Sequence, residues 1–201
     1  MKPNNMTYEI KRSTGAINVP RRSFLFNSMN IALSGAAVAM LAGRSGLVSA
    51  ANRTETQAID DVRILNTALG AEREAIAAYA VGAESGLLGS AVLKVAVTFQ
   101  GHHKEHRDVL ASTIRKLGGQ PTEPPKSYNF PVERLKTQAD VLKFAAELER
   151  GAVSAYAGAV PLFVNRDLSK AAASILADEA MHWAILRQTL GMDPVPSAFF
   201  S

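Results

Sequence analysis

The chain has 201 residues and a formal net charge of +4, long enough for one sizeable domain and short for two. Six of its 22 Lys and Arg, but only one of its 18 acidic residues, fall within residues 1–50, which leaves 16 basic against 17 acidic beyond them, so the basic sum argues for no nucleic-acid partner. There is no cysteine, which excludes disulfides, zinc fingers and iron–sulfur clusters and leaves any metal to histidine and carboxylate.

Residues 1–50 read as an export signal. PRRSFLF sets Arg21 and Arg22 ahead of Phe24 and Leu25 in the twin-arginine arrangement. The apolar run IALSGAAVAMLAG, residues 31–43, falls short of the ~20 residues of a membrane-spanning helix. Val48-Ser49-Ala50 offers a cleavage point before Ala51. The expectation is a signal over 1–50, handling by the twin-arginine translocase, and a periplasmic or secreted domain over 51–201 that does not span the membrane. A retained anchor is the alternative.

The domain then reads as helices. Ile59, Val62, Leu65, Leu69, Ile76 and Tyr79 recur at three- and four-residue steps between Thr56 and about Ser85, and ESGLLGS breaks the run. A second helix is predicted from about Ser90 to Leu117, capped by Gly118-Gly119. GGQPTEPPKSYNFP, rich in proline, admits no regular element. Thr137, three residues before Asp140, resembles a capping box for a third helix running to about Val164. Asp167 is the expected cap of a fourth, which ends at Leu190-Gly191. Four helices of about 25 to 30 residues, each ~40 Å long, with short outer links and one long middle link, make an all-α four-helix bundle. Its long crossover lies between helices 2 and 3. The apolar tail PVPSAFF is expected to cover the end of the bundle or to mediate a homodimer.

The helix pair is written twice. AEREAIAAYA over LERGAVSAYA aligns Glu72 with Glu149 and Tyr79 with Tyr156 at an offset of 77; HHKEHRDVL over DEAMHWAIL aligns His103 with Glu179, His106 with His182 and Leu110 with Leu186 at an offset of 76. Residues three apart share a helix face, so Glu179 and His182 point the same way, as do His103 and His106. Three of the four histidines cluster at His102, His103 and His106, and two of them, His103 and His106, form one half of a candidate site made of Glu72, His103, His106, Glu149, Glu179 and His182. One Glu from each of two helices, with Glu-x-x-His from the other two, is how two-metal carboxylate centres are built in such bundles. Carboxylate and imidazole suit iron or manganese, one or two ions, ahead of zinc.

The stretches ILNTALGAEREAIAAY, HHKEHRDVL with IRKLGGQP, ELERGAVSAYAGAVP and SILADEAMHWAILRQTLGMDPVPSAF resemble the ferritin-like superfamily, in particular small exported bacterial members related to plant desiccation-related proteins. The resemblance implies a ferritin-like bundle and a metal-binding role: ferroxidase, peroxide-consuming or metal-handling. One position departs, since the family pattern puts Glu where His103 stands. The site then carries three carboxylates rather than four and loses a bridging oxygen, which leaves one metal, two metals or none open. A non-catalytic, stress- or desiccation-related bundle and a metal buffer stand as the alternatives. His102 is rotated about 100° from His103 and is a substitute ligand at most. Glu74, Glu105 and Glu147 are expected on solvated faces, Tyr79 and Tyr156 in the core, and Trp183 in packing.

Overall fold

The computed structural model describes residues 50–200, with side chains from Ala58 onward. The signal expected over residues 1–50 lies, apart from Ala50, outside the described residues. Within these there are four α-helices and no strand: α1 Ala50–Glu84, α2 Ser90–Lys116, α3 Gln138–Ala159 and α4 Arg166–Thr189. Single 3-10 turns, Val132–Arg134 and Val160–Leu162, lie in the connections. α1 packs along α2 and α3 along α4, and α1 also meets α3. No described helix is long and apolar enough to cross a membrane. This is the four-helix bundle with one long crossover between its second and third helices.

Local chemistry explains the helix ends. Thr137 and Asp140 form a reciprocal capping box at α3. At the end of α2, Gly118 takes a φ of +80°, and Gly119 N–H donates back to the Ile114 carbonyl at 2.9 Å. A Cβ on Gly119 would stand 2.6 Å from Val62 Cγ1, so the close approach of α2's end to α1 requires glycine.

Three boundaries differ from expectation. α1 is already helical at Ala50, ahead of Thr56, because Asn52, Arg53, Thr54 and Glu55 contain no helix breaker. α3 stops at Ala159 rather than Val164, since Pro161 has no N–H to continue the ladder. Asn165, not Asp167, caps α4: its side chain accepts the Asp167 N–H at 2.9 Å, and Asp167 lies in the first turn. Ile59, expected on the core face, is exposed, because α1 reaches past Val62, where the end of α2 abuts it.

Two apolar cores hold the bundle. One joins Leu65, Leu69, Leu110, Ile114, Phe163 and Leu168, among others; the other joins Tyr79, Phe99, Leu142, Ala146 and Leu186. On every helix a polar residue falls between the two: Glu72 on α1, His103 on α2, Glu149 on α3, Glu179 and His182 on α4. The fold thus places a polar layer mid-bundle, flanked by apolar clusters that keep water from it.

Two connections are tied to α1. Asn66 donates to the Gln120 carbonyl at 3.0 Å and accepts the Thr122 N–H at 2.7 Å, which lays the start of the crossover along α1. Asp61, buried on α1, accepts the N–H groups of Val164 and Asn165 at 3.0 and 3.1 Å. At the C-terminus, Phe200 meets Trp183 edge-on with ring centroids 5.6 Å apart, and Arg187 lies over the other ring. Trp183 is a packing residue, and the end of the tail lies against α4.

Candidate metal centre

All six residues singled out by the repeat converge. Glu72, His103, Glu149, Glu179 and His182 are buried, each no more than 2 % exposed, and His106 is partly buried, its side chain 15% exposed. Their ligating atoms form two overlapping sets: Glu72, His103, His106 and Glu179 in one, and His103, Glu149, Glu179 and His182 in the other. Both sets share His103 and Glu179, the two residues that the repeat equates. The Glu179 carboxylate faces both, with one oxygen 3.2 Å from His106 Nδ1 and the other 3.8 Å from His182 Nδ1.

His103 bridges the glutamates of α1 and α3. Its Nδ1 is 2.8 Å from Glu72 and its Nε2 3.3 Å from Glu149. Burial works against a charge on this ring, but the hydrogen bonds to Glu149 and Glu72 outweigh it and push the pKa up to about 11. His106 and His182 are likewise disfavoured as cations by burial, yet nearby carboxylates raise both to about 9: Glu179 and Glu72 at His106, Glu149 and Glu179 at His182. Burial would raise Glu149, but His103 and His182 hold it well below the ordinary carboxylate range. Without a metal, the carboxylates draw the three rings toward their protonated form, and that attraction offsets part of the cost of burying so many charged groups.

The tyrosines lie in the core as expected, and they also cross-link the centre. Tyr156 on α3 donates to Glu72 on α1 at 2.5 Å, and Tyr79 on α1 donates to Glu149 on α3. Burial, followed by the neighbouring glutamates, lifts both phenols well above their ordinary value. They stay protonated and act as donors that orient the carboxylates.

The donor set fits a cation. His106 Nδ1, His182 Nδ1 and both Glu179 oxygens are fully buried with no properly directed hydrogen bond, despite lying within ion-pair reach of one another. Four buried polar atoms turned to a common space without a directed hydrogen bond are what a metal ion supplies a partner for, once it displaces the imidazole protons.

Asp178 was not expected in the site, and His102 only as a substitute ligand. Asp178 Oδ2 lies 3.5 Å from His106 Nε2 and 3.3 Å from His182 Nε2, on the outer side of both rings. His102 Nδ1 reaches His182 Nε2 at 2.9 Å. A helix-face argument rotates both away from the centre, but the repeat would have found them: at the offset of 76 His102 falls on Asp178. Glu105 and Glu147 are exposed as expected. Glu74 is half-buried rather than solvated, and burial raises its pKa.

Comparison with known proteins agrees with this architecture. The profile of the ferritin-like domain family matches residues 60–192. A conserved hypothetical protein of Mycobacterium tuberculosis superposes with a TM-score of 0.60 at 22% identity, over 69% of this chain and 96% of that one. Ferritin-like, diiron-carboxylate proteins of Bacillus anthracis strain Ames superpose with a TM-score of 0.58 at 22% identity, over 67% of this chain and 97% of theirs. No protein of curated function matches the sequence.

Proposed function

The chain belongs to the ferritin-like domain family, and from that premise we propose that its buried centre binds iron or manganese in an exported protein that handles or oxidises metal. The observation that carries this reading is the pair of overlapping donor sets that share Glu179, together with the unpartnered buried atoms of His106, His182 and Glu179. Glu72 with His106, and Glu149 with His182, would hold one ion each, and Glu179 would serve both. The precedent for metal is the diiron-carboxylate description of the Bacillus anthracis proteins.

A bound redox-active ion would supply the electron change for oxidising Fe(II) or consuming peroxide. The protein's own contribution is positional. Tyr79 and Tyr156 aim the carboxylates of Glu149 and Glu72, Asp178 lies within ion-pair reach of the outer nitrogen of His106, and the two apolar cores exclude bulk water. Export through the twin-arginine signal suits a protein that folds and takes its metal before crossing the membrane.

One observation favours a second reading. His103 bonds glutamates on both sides, so these buried carboxylates have a protein partner without metal, as a purely structural bundle requires. Anaerobic titration with Fe(II) or Mn(II), followed by exposure to oxygen or peroxide, separates the readings. About one or two ions per chain with oxidant-dependent oxidation of Fe(II) supports the first. Binding without oxidation marks a metal buffer, and failure to bind leaves the structural bundle.

A further inference from the structure

We propose that His102, Asp178 and His182 form a separate divalent-cation site on the solvent side of the buried centre, where an incoming ion is first held. The three donor atoms form a compact triangle: His102 Nδ1 to His182 Nε2 is 2.9 Å, His102 Nδ1 to Asp178 Oδ2 is 3.2 Å, and Asp178 Oδ2 to His182 Nε2 is 3.3 Å. Metal–donor bonds of about 2.0–2.2 Å place neighbouring donors about 3 Å apart around one ion. Two imidazoles and one carboxylate suit a first-row divalent cation and leave its remaining positions to water. None of the glutamates of the buried centre belongs to this triangle.

Exposure sets this triad apart from the inner sets. The His102 side chain is 41% exposed and Asp178 22%, whereas His182 is 2% exposed. An ion can reach the triad from water and keep part of its hydration there, which avoids the cost of stripping it in one step. A cavity of about 230 Å³ bounded by Tyr79, Val92, Val95, Leu142, Ala145 and Leu186 also lies beside the centre. Its apolar walls offer a cation nothing in exchange for its water. His182 stands on the boundary, with Nε2 in the triad and Nδ1 3.4 Å from Glu149 in the inner set. The triad also joins α2 to α4 through residues that the internal repeat equates, His102 and Asp178.

The test uses Co(II) alone, added anaerobically to the full chain, with bound ions counted by mass spectrometry and their visible absorption followed during titration. The wild-type chain is expected to bind about one Co(II) more than His102→Ala, or to hold that ion at least tenfold more tightly. Asp178→Asn, nearly isosteric, is expected to lose the same ion and guards against a folding defect in the first variant. Glu149→Gln leaves the triad intact and is expected to keep the His102-dependent absorption while losing inner binding. Equal Co(II) number and affinity in wild type, His102→Ala and Asp178→Asn would overturn the outer site, as would a wild-type chain that binds no Co(II). If Glu149→Gln instead loses no ion while His102→Ala does, the outer site stands and the reading of the buried centre fails.

Discussion

Tyr156 and Glu72, 84 residues apart, are joined by a buried hydrogen bond of 2.5 Å. Its counterpart runs the other way across the bundle, from Tyr79 to Glu149. Each helix pair thus supplies the phenol that holds the other pair's carboxylate, and the two halves of the repeat are completed only by each other.

Tyr156→Phe keeps the ring in its apolar cluster and removes only the hydroxyl. A hydrogen bond to a charged group contributes about 1.5–3 kcal/mol, so urea unfolding of the metal-free variant is expected to show a loss of that order. Metal affinity should fall as well, because Glu72 loses the donor that orients it. An unchanged urea midpoint would mean that the phenol leaves Glu72 no better held than water does.

Glu179→Gln is expected to abolish or sharply reduce inner-site metal content, since Gln cannot supply an anionic oxygen to both donor sets. His182→Ala removes one donor from the inner set and one from the outer triad, so it should lower metal content at least as far. Ion counts by mass spectrometry after chelator-free purification check both. Full occupancy in both variants would show that the metal is held elsewhere.

The pH dependence has opposite signs with and without metal. In the metal-free protein the pKa values of His103, His106 and His182 rise from 6.5 to about 11, 9 and 9. The stability they contribute is complete below about pH 6.5 and is lost as pH climbs through 9 toward 11. Glu149, whose pKa is depressed, contributes stability above the ordinary carboxylate range that is lost in acid. Thermal melts in chelator are therefore expected to show their highest Tm between about pH 5 and 6.5 and a Tm that falls from there to pH 10. Metal binding must displace the imidazole protons, so apparent affinity should increase with pH over the same alkaline range. A chelator-treated Tm that stays flat from pH 7 to 10 would show that these histidines are neutral when metal-free.

Asp61→Ala strands two backbone N–H groups, those of Val164 and Asn165. Val164 and Asn165 are themselves exposed, so water can partly replace the carboxylate, and a loss of about 1.5–3 kcal/mol, the range of one hydrogen bond to a charged group, is expected. The folded variant should keep its metal stoichiometry, because Asp61 touches none of the six candidate ligands. A stability change under 1 kcal/mol would mean that water replaces the carboxylate there.

The six residues of the centre were legible because each lies at a spacing that one helix imposes on itself. Glu179 and His182 share a face by being three apart, and the repeat then carries Glu72 onto Glu149 and His106 onto His182. Asp61 was not legible, since its partners lie 103 and 104 residues away in a loop whose path depends on Pro161 ending α3 early.

The sequence by itself determined the four helices, their long crossover, the polar layer within an apolar stripe and the identity of the buried candidate ligands. All of these follow from periodicity, capping and proline chemistry acting within one helix or between two copies of a repeat. Tertiary structure alone decided that His103 spans Glu72 and Glu149, that each tyrosine serves the opposite pair's glutamate, and that His102 turns toward Asp178 and His182. Those contacts form between different helices. Local spacing gives a residue its face on a helix, whereas the axial register of one helix against another is set by how the apolar clusters interlock, and only that register brings these atoms within 3–4 Å.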